Sequence, residues 1–198
     1  MNSKLIAESV GTFALALAVV SSVAGMPMVP TPVLAGLVLG LFVYSVGKVS
    51  GCHINPAVTL GLWSIDKIST QETLRYIAAQ LLGAVAAVLV LSVLFDMGSF
   101  SLTFAEEAGR VFLAECVGAM LFTFGVASVV AGRVNDAMSG VVVGGSLLLG
   151  IVVAAQLGSA GILNPAVALA LGSLSLSYVA GSVVGAVLGV HLYKRVLG

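Results

Sequence analysis

Two stretches of this chain are near copies of each other, Cys52-His53-Ile54-Asn55-Pro56-Ala57-Val58-Thr59-Leu60 and Gly161-Ile162-Leu163-Asn164-Pro165-Ala166-Val167-Ala168-Leu169. Each sets Asn-Pro-Ala-Val inside apolar sequence. Proline disfavours the α conformation in the residue before it and is itself pre-set for the first turn of a helix. Asn55 and Asn164 therefore read as N-caps, and Pro56 and Pro165 as first helical residues. From Pro56 to Trp63 and from Pro165 to Gly172 there is room for about 12 Å of helix at ~1.5 Å per residue, roughly half of a ~30 Å hydrocarbon core. Neither segment spans a bilayer alone, so the two are expected to dip in and meet near the midplane.

A bilayer is the right solvent to assume. The 198 residues are 60% hydrophobic and 8% charged, whereas roughly a quarter of a soluble domain is charged. A formal net charge of zero offers nothing to a nucleic acid. Cys52 and Cys116 form no spacing motif, so neither a disulfide framework nor a metal site is implied, and no cofactor is expected. Lys4 followed by an apolar run has the outline of a signal peptide. The run contains Glu8 and has a second copy far inside the chain, so it is read as a first span.

Six long apolar segments lie near residues 4 to 23, 33 to 49, 73 to 95, 109 to 131, 138 to 157 and 176 to 194, punctuated by Gly, Pro and charge. The two Asn-Pro segments follow the second and the fifth. Ala7-Glu8-Ser9-Val10-Gly11 matches Ala114-Glu115-Cys116-Val117-Gly118, and Tyr76 to Ala84 matches Tyr178 to Ala186. The expected fold is an all-α membrane domain over residues 1–198, built of two repeats of about 1–100 and 101–198. Each repeat holds three spans and one re-entrant half-helix. An odd number of spans per repeat makes the second copy enter from the opposite side, so the repeats are inverted. With both termini cytoplasmic, Lys4, Lys48, Lys67, Arg75, Arg133, Lys194 and Arg195 share that side and only Arg110 lies outside, the bias expected of cytoplasmic loops. Gly36 and Gly40, Gly140 and Gly144, and Gly181, Gly185 and Gly189 stand at the spacing that lets membrane helices approach closely.

These motifs resemble those of the aquaporins and aquaglyceroporins, the major intrinsic proteins. The likeness covers nearly the whole chain: Ala-Glu-x-x-Gly-Thr-Phe at residues 7 to 13, Ser50 to Thr59, Ala79-Gln80-x-x-Gly83-Ala84, and the second-half copies. It implies a passive channel for water and small neutral solutes such as glycerol, urea, ammonia or hydrogen peroxide, multi-pass in the cell membrane and assembled as a homotetramer. Asn55 and Asn164 would sit side by side at the pore centre, with Pro56, Ala57, Pro165 and Ala166 starting the half-helices. Gly51, Cys52, His53 and Ile54, and Ser159, Ala160, Ile162 and Leu163, would form the pore-lining loops, their carbonyls a ladder of acceptors. Two helix N-termini facing one spot place partial positive charge there and repel cations.

The family pattern breaks at the outer filter. Most relatives have Arg after the second Asn-Pro-Ala, where this chain has Val167. Gly161 holds the other loop position, and counting back from the asparagines places Ala35 and Val152 on the spans. Such a filter is apolar, uncharged and wider than a strict water gate, and an apolar ring can also dewet. Glu8 and Glu115 are intramembrane carboxylates, which raises the idea of a proton path. Their duplication favours a quieter role, accepting hydrogen bonds from the free N–H groups of one re-entrant loop each. His53 reads either as a brace for its loop or as a solute contact, and Cys52 is expected to face the pore. Two other classes stay open: a secondary transporter, which also shows inverted repeats and broken helices but would place ionisable groups at the midplane, and a junction protein with a vestigial pore. No nucleophile and base pair appears in the pore segments, so no enzyme is expected.

Overall fold

The computed structural model describes residues 2–25, 28–94 and 109–197. Its helices are α1 (Ser3–Ala24), α2 (Thr31–Ser50), α3 (Pro56–Trp63), α4 (Thr70–Leu94), α5 (Gly109–Val130), α6 (Asp136–Gln156), α7 (Pro165–Ala170) and α8 (Leu176–Leu197). Six of them are long and apolar enough to cross a membrane. The other two, α3 and α7, are the half-helices. The expected repeat boundary near residue 100 and the end of the third segment at Phe95 lie outside the described residues.

Local chemistry sets the ends. Asn2 and Asn135 cap α1 and α6 with their side-chain oxygens, taking up N–H groups that a helix leaves unpaired. The third span starts earlier than hydropathy suggests because Ser69 caps it, its Oγ accepting from Glu72 N–H at 3.2 Å and its carbonyl from Thr73 N–H at 2.9 Å. The second half-helix is shorter than the sequence allows. Gly172 takes a φ of +66° and the Ser173 N–H returns to the Ala168 carbonyl at 2.9 Å, a turn that satisfies the last carbonyls and stops the helix at Ala170.

The halves are built alike. α1 packs on α4 and α2, as α5 packs on α8 and α6, and α2 crosses α6 to join the repeats. Each half-helix leans on the last span of the other repeat, α3 on α8 and α7 on α4. Small residues make these crossings possible. A Cβ at Gly36 would lie 2.7 Å from the Gly144 carbonyl oxygen, and one at Gly40 2.7 Å from that of Gly140. Gly83 abuts the Ser9 backbone and Gly185 the Cys116 backbone in the same way. Such backbone contact is how helices cohere where lipid removes any hydrophobic drive between them. Leu37, Leu41, Leu82, Leu113 and Leu188 project outward from the spans, where hydrocarbon rather than water meets them.

Candidate functional site

The two half-helices start at the heart of the bundle from loops of non-helical backbone, residues 51–55 and 159–164. Cys52 and Ile54 have φ of +52° and +37°, and at the matching places Gly161 and Leu163 have +67° and +53°. A left-handed conformation at a residue with a side chain persists only where the surroundings impose it. Here the imposing groups are two buried carboxylates.

Glu8, on α1, is fully buried. Its Oε1 accepts from Ser50 Oγ at 2.7 Å and His53 N–H at 2.9 Å, and its Oε2 from Ile54 N–H at 2.7 Å and Gln80 Nε2 at 2.8 Å. Glu115, on α5, does the same for the second loop: Oε1 accepts from Ile162 N–H at 3.0 Å and from Ser159 Oγ, and Oε2 from Leu163 N–H at 2.7 Å. Ser50 and Ser159 in turn accept from Cys52 N–H and Gly161 N–H, each at 3.1 Å. Unpaired, each buried N–H would cost about 1–3 kcal/mol.

The asparagines then tie the loops to each other. Asn55 Oδ1 caps α3 by accepting from Ala57 N–H at 2.8 Å, and Asn164 Oδ1 caps α7 by accepting from Ala166 and Val167 N–H at 3.0 and 3.3 Å. Asn55 Nδ2 donates to the Leu163 carbonyl at 2.9 Å, and Asn164 Nδ2 donates to the Ile54 carbonyl at 3.1 Å. An amide carries two N–H donors, so among the described residues each asparagine keeps one uncommitted. The two N-termini, with their partial positive charge, are thereby held against one another.

Both asparagines border a cavity of about 320 Å³ that runs from the midplane toward the face opposite the termini. Ala35, Gly161 and Val167 stand on its wall, with His53, Ile54, Ala160 and Ile162 from the loops. Val152, the fourth residue expected in the outer filter, does not, whereas its neighbour Ile151 does. α6 presents Leu147, Ile151 and Ala155 to the cavity, a stripe of period four in which Val152 is turned roughly 100° away. Ile151 also lies against Gly161, where an added Cβ would come within 2.6 Å of its carbonyl oxygen.

A second cavity, about 50 Å³, lies on the termini side and is bordered by Gly51 and Cys52 together with Val58, Leu62 and Val126. Ser159 and Leu163 border neither cavity. Ser159 is turned onto Glu115, and the Leu163 side chain is wholly buried against Gly118 and Gly150. Pro56, Ala57, Pro165 and Ala166 are buried in the first turns of their helices and likewise border neither cavity. Leu39 and Phe122 border both and carry no motif that would single them out. They fall on the same four-residue spacing, Ala35 and Leu39 on α2 and Phe122 and Val126 on α5, but in spans that are apolar all round that spacing is no signal. Among the described residues no group of His, Cys, Asp and Glu could hold a metal ion.

A profile of the major intrinsic protein family matches residues 1–193. The chain is similar to nodulin-26 of Glycine max, 32% identical over 98% of this chain and 77% of that protein. It is also similar to the probable aquaporin NIP4-2 of Arabidopsis thaliana, 29% identical over 98% of this chain and 74% of the other. The X-ray structure of the aquaglyceroporin from Plasmodium falciparum superposes with a TM-score of 0.72 at 23% identity, covering 98% of this chain and 96% of that one.

Proposed function

The chain belongs to the major intrinsic protein family and is a multi-pass passive channel for water and small solutes, and on that premise we propose that its conducting path follows the two cavities past Asn55 and Asn164. The observation that carries this path is the reciprocal tie of the asparagines at the cavity floor. Each uses one amide hydrogen to hold the other loop, which leaves the second for a passing molecule. Irregular backbone at membrane depth is tolerated where it lines a watery space, and the loops supply it there.

Neutral solutes are the class such a path accepts. A cation arriving at the centre meets two helix N-termini whose partial charges repel it, and the buried carboxylates Glu8 and Glu115 do not face it, being turned into the protein and committed to their loops. The outer filter of Ala35, Ile151, Gly161 and Val167 offers neither charge nor side-chain donor. It discriminates little among uncharged molecules, so glycerol, urea, ammonia and hydrogen peroxide belong to the proposed range beside water. The protein would lie in the cell membrane with both termini cytoplasmic, in line with its one-sided Lys and Arg, and the family likeness implies a homotetramer with one path per subunit.

Stopped-flow flux in proteoliposomes tests this reading across water, glycerol, urea, ammonia and peroxide, with a proton-leak control. Water and glycerol should move faster than in empty vesicles while protons do not. Vesicles no leakier to any of these solutes than protein-free ones, or a steady ion current, would refute it.

A further inference from the structure

Leu39, His53 and Phe122 border both the large cavity and the small one. These three residues, from α2, the first loop and α5, stand where the two spaces meet. The space falls from about 320 Å³ on one side of it to about 50 Å³ on the other. A water molecule occupies about 30 Å³ of liquid, so the first space has room for a solute with water around it and the second for little more than one water-sized group.

The three groups are also held still. Leu39 and Phe122 are 2% exposed and packed in the core. His53 is clamped by its neighbours: its ring meets Tyr76 edge-on with centroids 5.2 Å apart, and Nδ1 is 3.2 Å from Thr59 Oγ1. Hydrogen-bond accounting at Thr59 fixes the role of Nδ1 as donor. The Thr59 hydroxyl donates to the Asn55 carbonyl at 3.0 Å, since a carbonyl can only accept. Gln80 Nε2 donates to the same Oγ1 at 3.0 Å, its orientation set by its other bond to Glu8. The hydroxyl has one acceptor position left, so His53 must donate through Nδ1–H, and in the neutral ring Nε2 is an acceptor. Nε2 has no partner in the described protein, yet it is not sealed in: among fully buried side-chain polar atoms of the described residues only Gln80 Oε1 lacks a partner. The partition thus offers one acceptor between two apolar walls.

We propose that this partition, and not the outer filter, sets the size limit of the channel. It admits slender neutral molecules bearing an N–H or O–H donor, which exchange one hydration bond for His53 Nε2 and slide past Leu39 and Phe122. The inference rests on the channel reading above. In the second repeat the positions matching His53 and Thr59 are Ile162 and Ala168, so no matching polar node stands at the other end.

The test uses the full chain in proteoliposomes with water and a series of linear polyols of increasing carbon number. Water flux above protein-free vesicles reads the channel. The shortest polyol held at background reads the limit. Phe122→Ala and Leu39→Ala should each raise flux of that polyol by roughly tenfold or more, the effect of removing about one close contact from a barrier, and Leu39→Phe should move the limit to a shorter polyol. A limit unchanged in those of the three variants that still conduct water overturns the assignment. Wild-type vesicles without water flux would instead overturn the channel reading.

Discussion

The side-chain amide of Asn55 donates to the carbonyl of Leu163 at 2.9 Å, a bond that reaches 108 residues along the chain and is mirrored by that of Asn164 to Ile54. Each asparagine therefore performs two tasks with one planar group, capping its own half-helix with Oδ1 and tethering the opposite loop with Nδ2. Asn164→Asp preserves the cap and abolishes the tether, because a carboxylate only accepts. It also sets a negative charge beside two helix N-termini and cancels their repulsion of cations. The expected outcome is a proton or cation leak absent from the wild type, read by pH-dye fluorescence in proteoliposomes, while water flux persists. A vesicle that stays tight to ions would show that the exclusion arises elsewhere.

Glu8 and Glu115 predict an unequal pair. Among the described residues Glu8 accepts four hydrogen bonds and Glu115 three, the difference being Gln80. Converting either to Gln replaces an acceptor oxygen by an NH2 that faces backbone donors. One or two buried N–H groups then lose partners at about 1–3 kcal/mol each. Glu8→Gln should lower the melting temperature in detergent more than Glu115→Gln, because the misplaced NH2 also disturbs Gln80 and, through it, Thr59 and His53. Equal shifts would mean that the chain of contacts beyond Glu8 contributes nothing to stability.

Cys52 borders the small cavity and is 4% exposed, whereas Cys116 lies at the contact of α5 with α8. A mercurial that reaches the cavity should bind the Cys52 thiol and fill much of a space of only about 50 Å³. Water flux in proteoliposomes should fall several-fold on treatment, recover with a reducing thiol, and resist treatment in Cys52→Ser. Full labelling of Cys52, verified by mass spectrometry, with no loss of flux would place the path away from this cavity.

Where α2 crosses α6, a side chain at Gly36 would point straight at backbone. A Cβ on Gly36 meets the Gly144 carbonyl oxygen at 2.7 Å, so even Gly36→Ala forces the backbones apart, at a cost of about 1–3 kcal/mol for overpacking a tight contact. Because this crossing joins the two repeats, the same change should loosen the asparagine tie. Thermal unfolding in detergent is expected to show the loss, and Gly145→Ala, whose Cβ would meet nothing within 4 Å, should leave the melting temperature in place.

What sequence reveals about this chain follows from how each feature is encoded. Six spans are visible because hydrocarbon demands a minimum apolar length, and both half-helices because Asn-Pro punctuates them too late for a span. The supporting carboxylates stand out since a duplicated charge in lipid has little reason to exist otherwise. The orientation of each helix about its own axis is not visible. Spans that are apolar all round carry no stripe of polarity to tell the lumen from lipid, so Ile151 and Val152 look alike until packing turns one inward. Leu39 and Phe122 are hidden for the same reason: apolar residues on a pore wall, in a core and against a lipid tail share one composition. The bridge from Glu8 through Gln80 to Thr59 and His53 joins four segments, a relation no local pattern encodes.

The outer filter yields the last prediction. Val167 stands one residue past Ala166 on the cavity wall, its own N–H bound to Asn164 Oδ1 at 3.3 Å, and its neighbours Ala35, Gly161 and Ile151 leave open space in front of it. Val167→Arg would extend a long side chain into that space with five fixed N–H donors. Two effects follow: the bore narrows, and the donors give water a partner at a filter whose side chains offer none. A cation there also repels other cations before they reach the half-helices. Glycerol and urea flux should drop relative to water by roughly tenfold, as for a barrier raised by ~1.4 kcal/mol. The measurement is the ratio of solute to water permeability in matched proteoliposomes. An unaltered ratio would show that Val167 does not face the conducting path, and the apolar outer filter would have to be assigned to other residues.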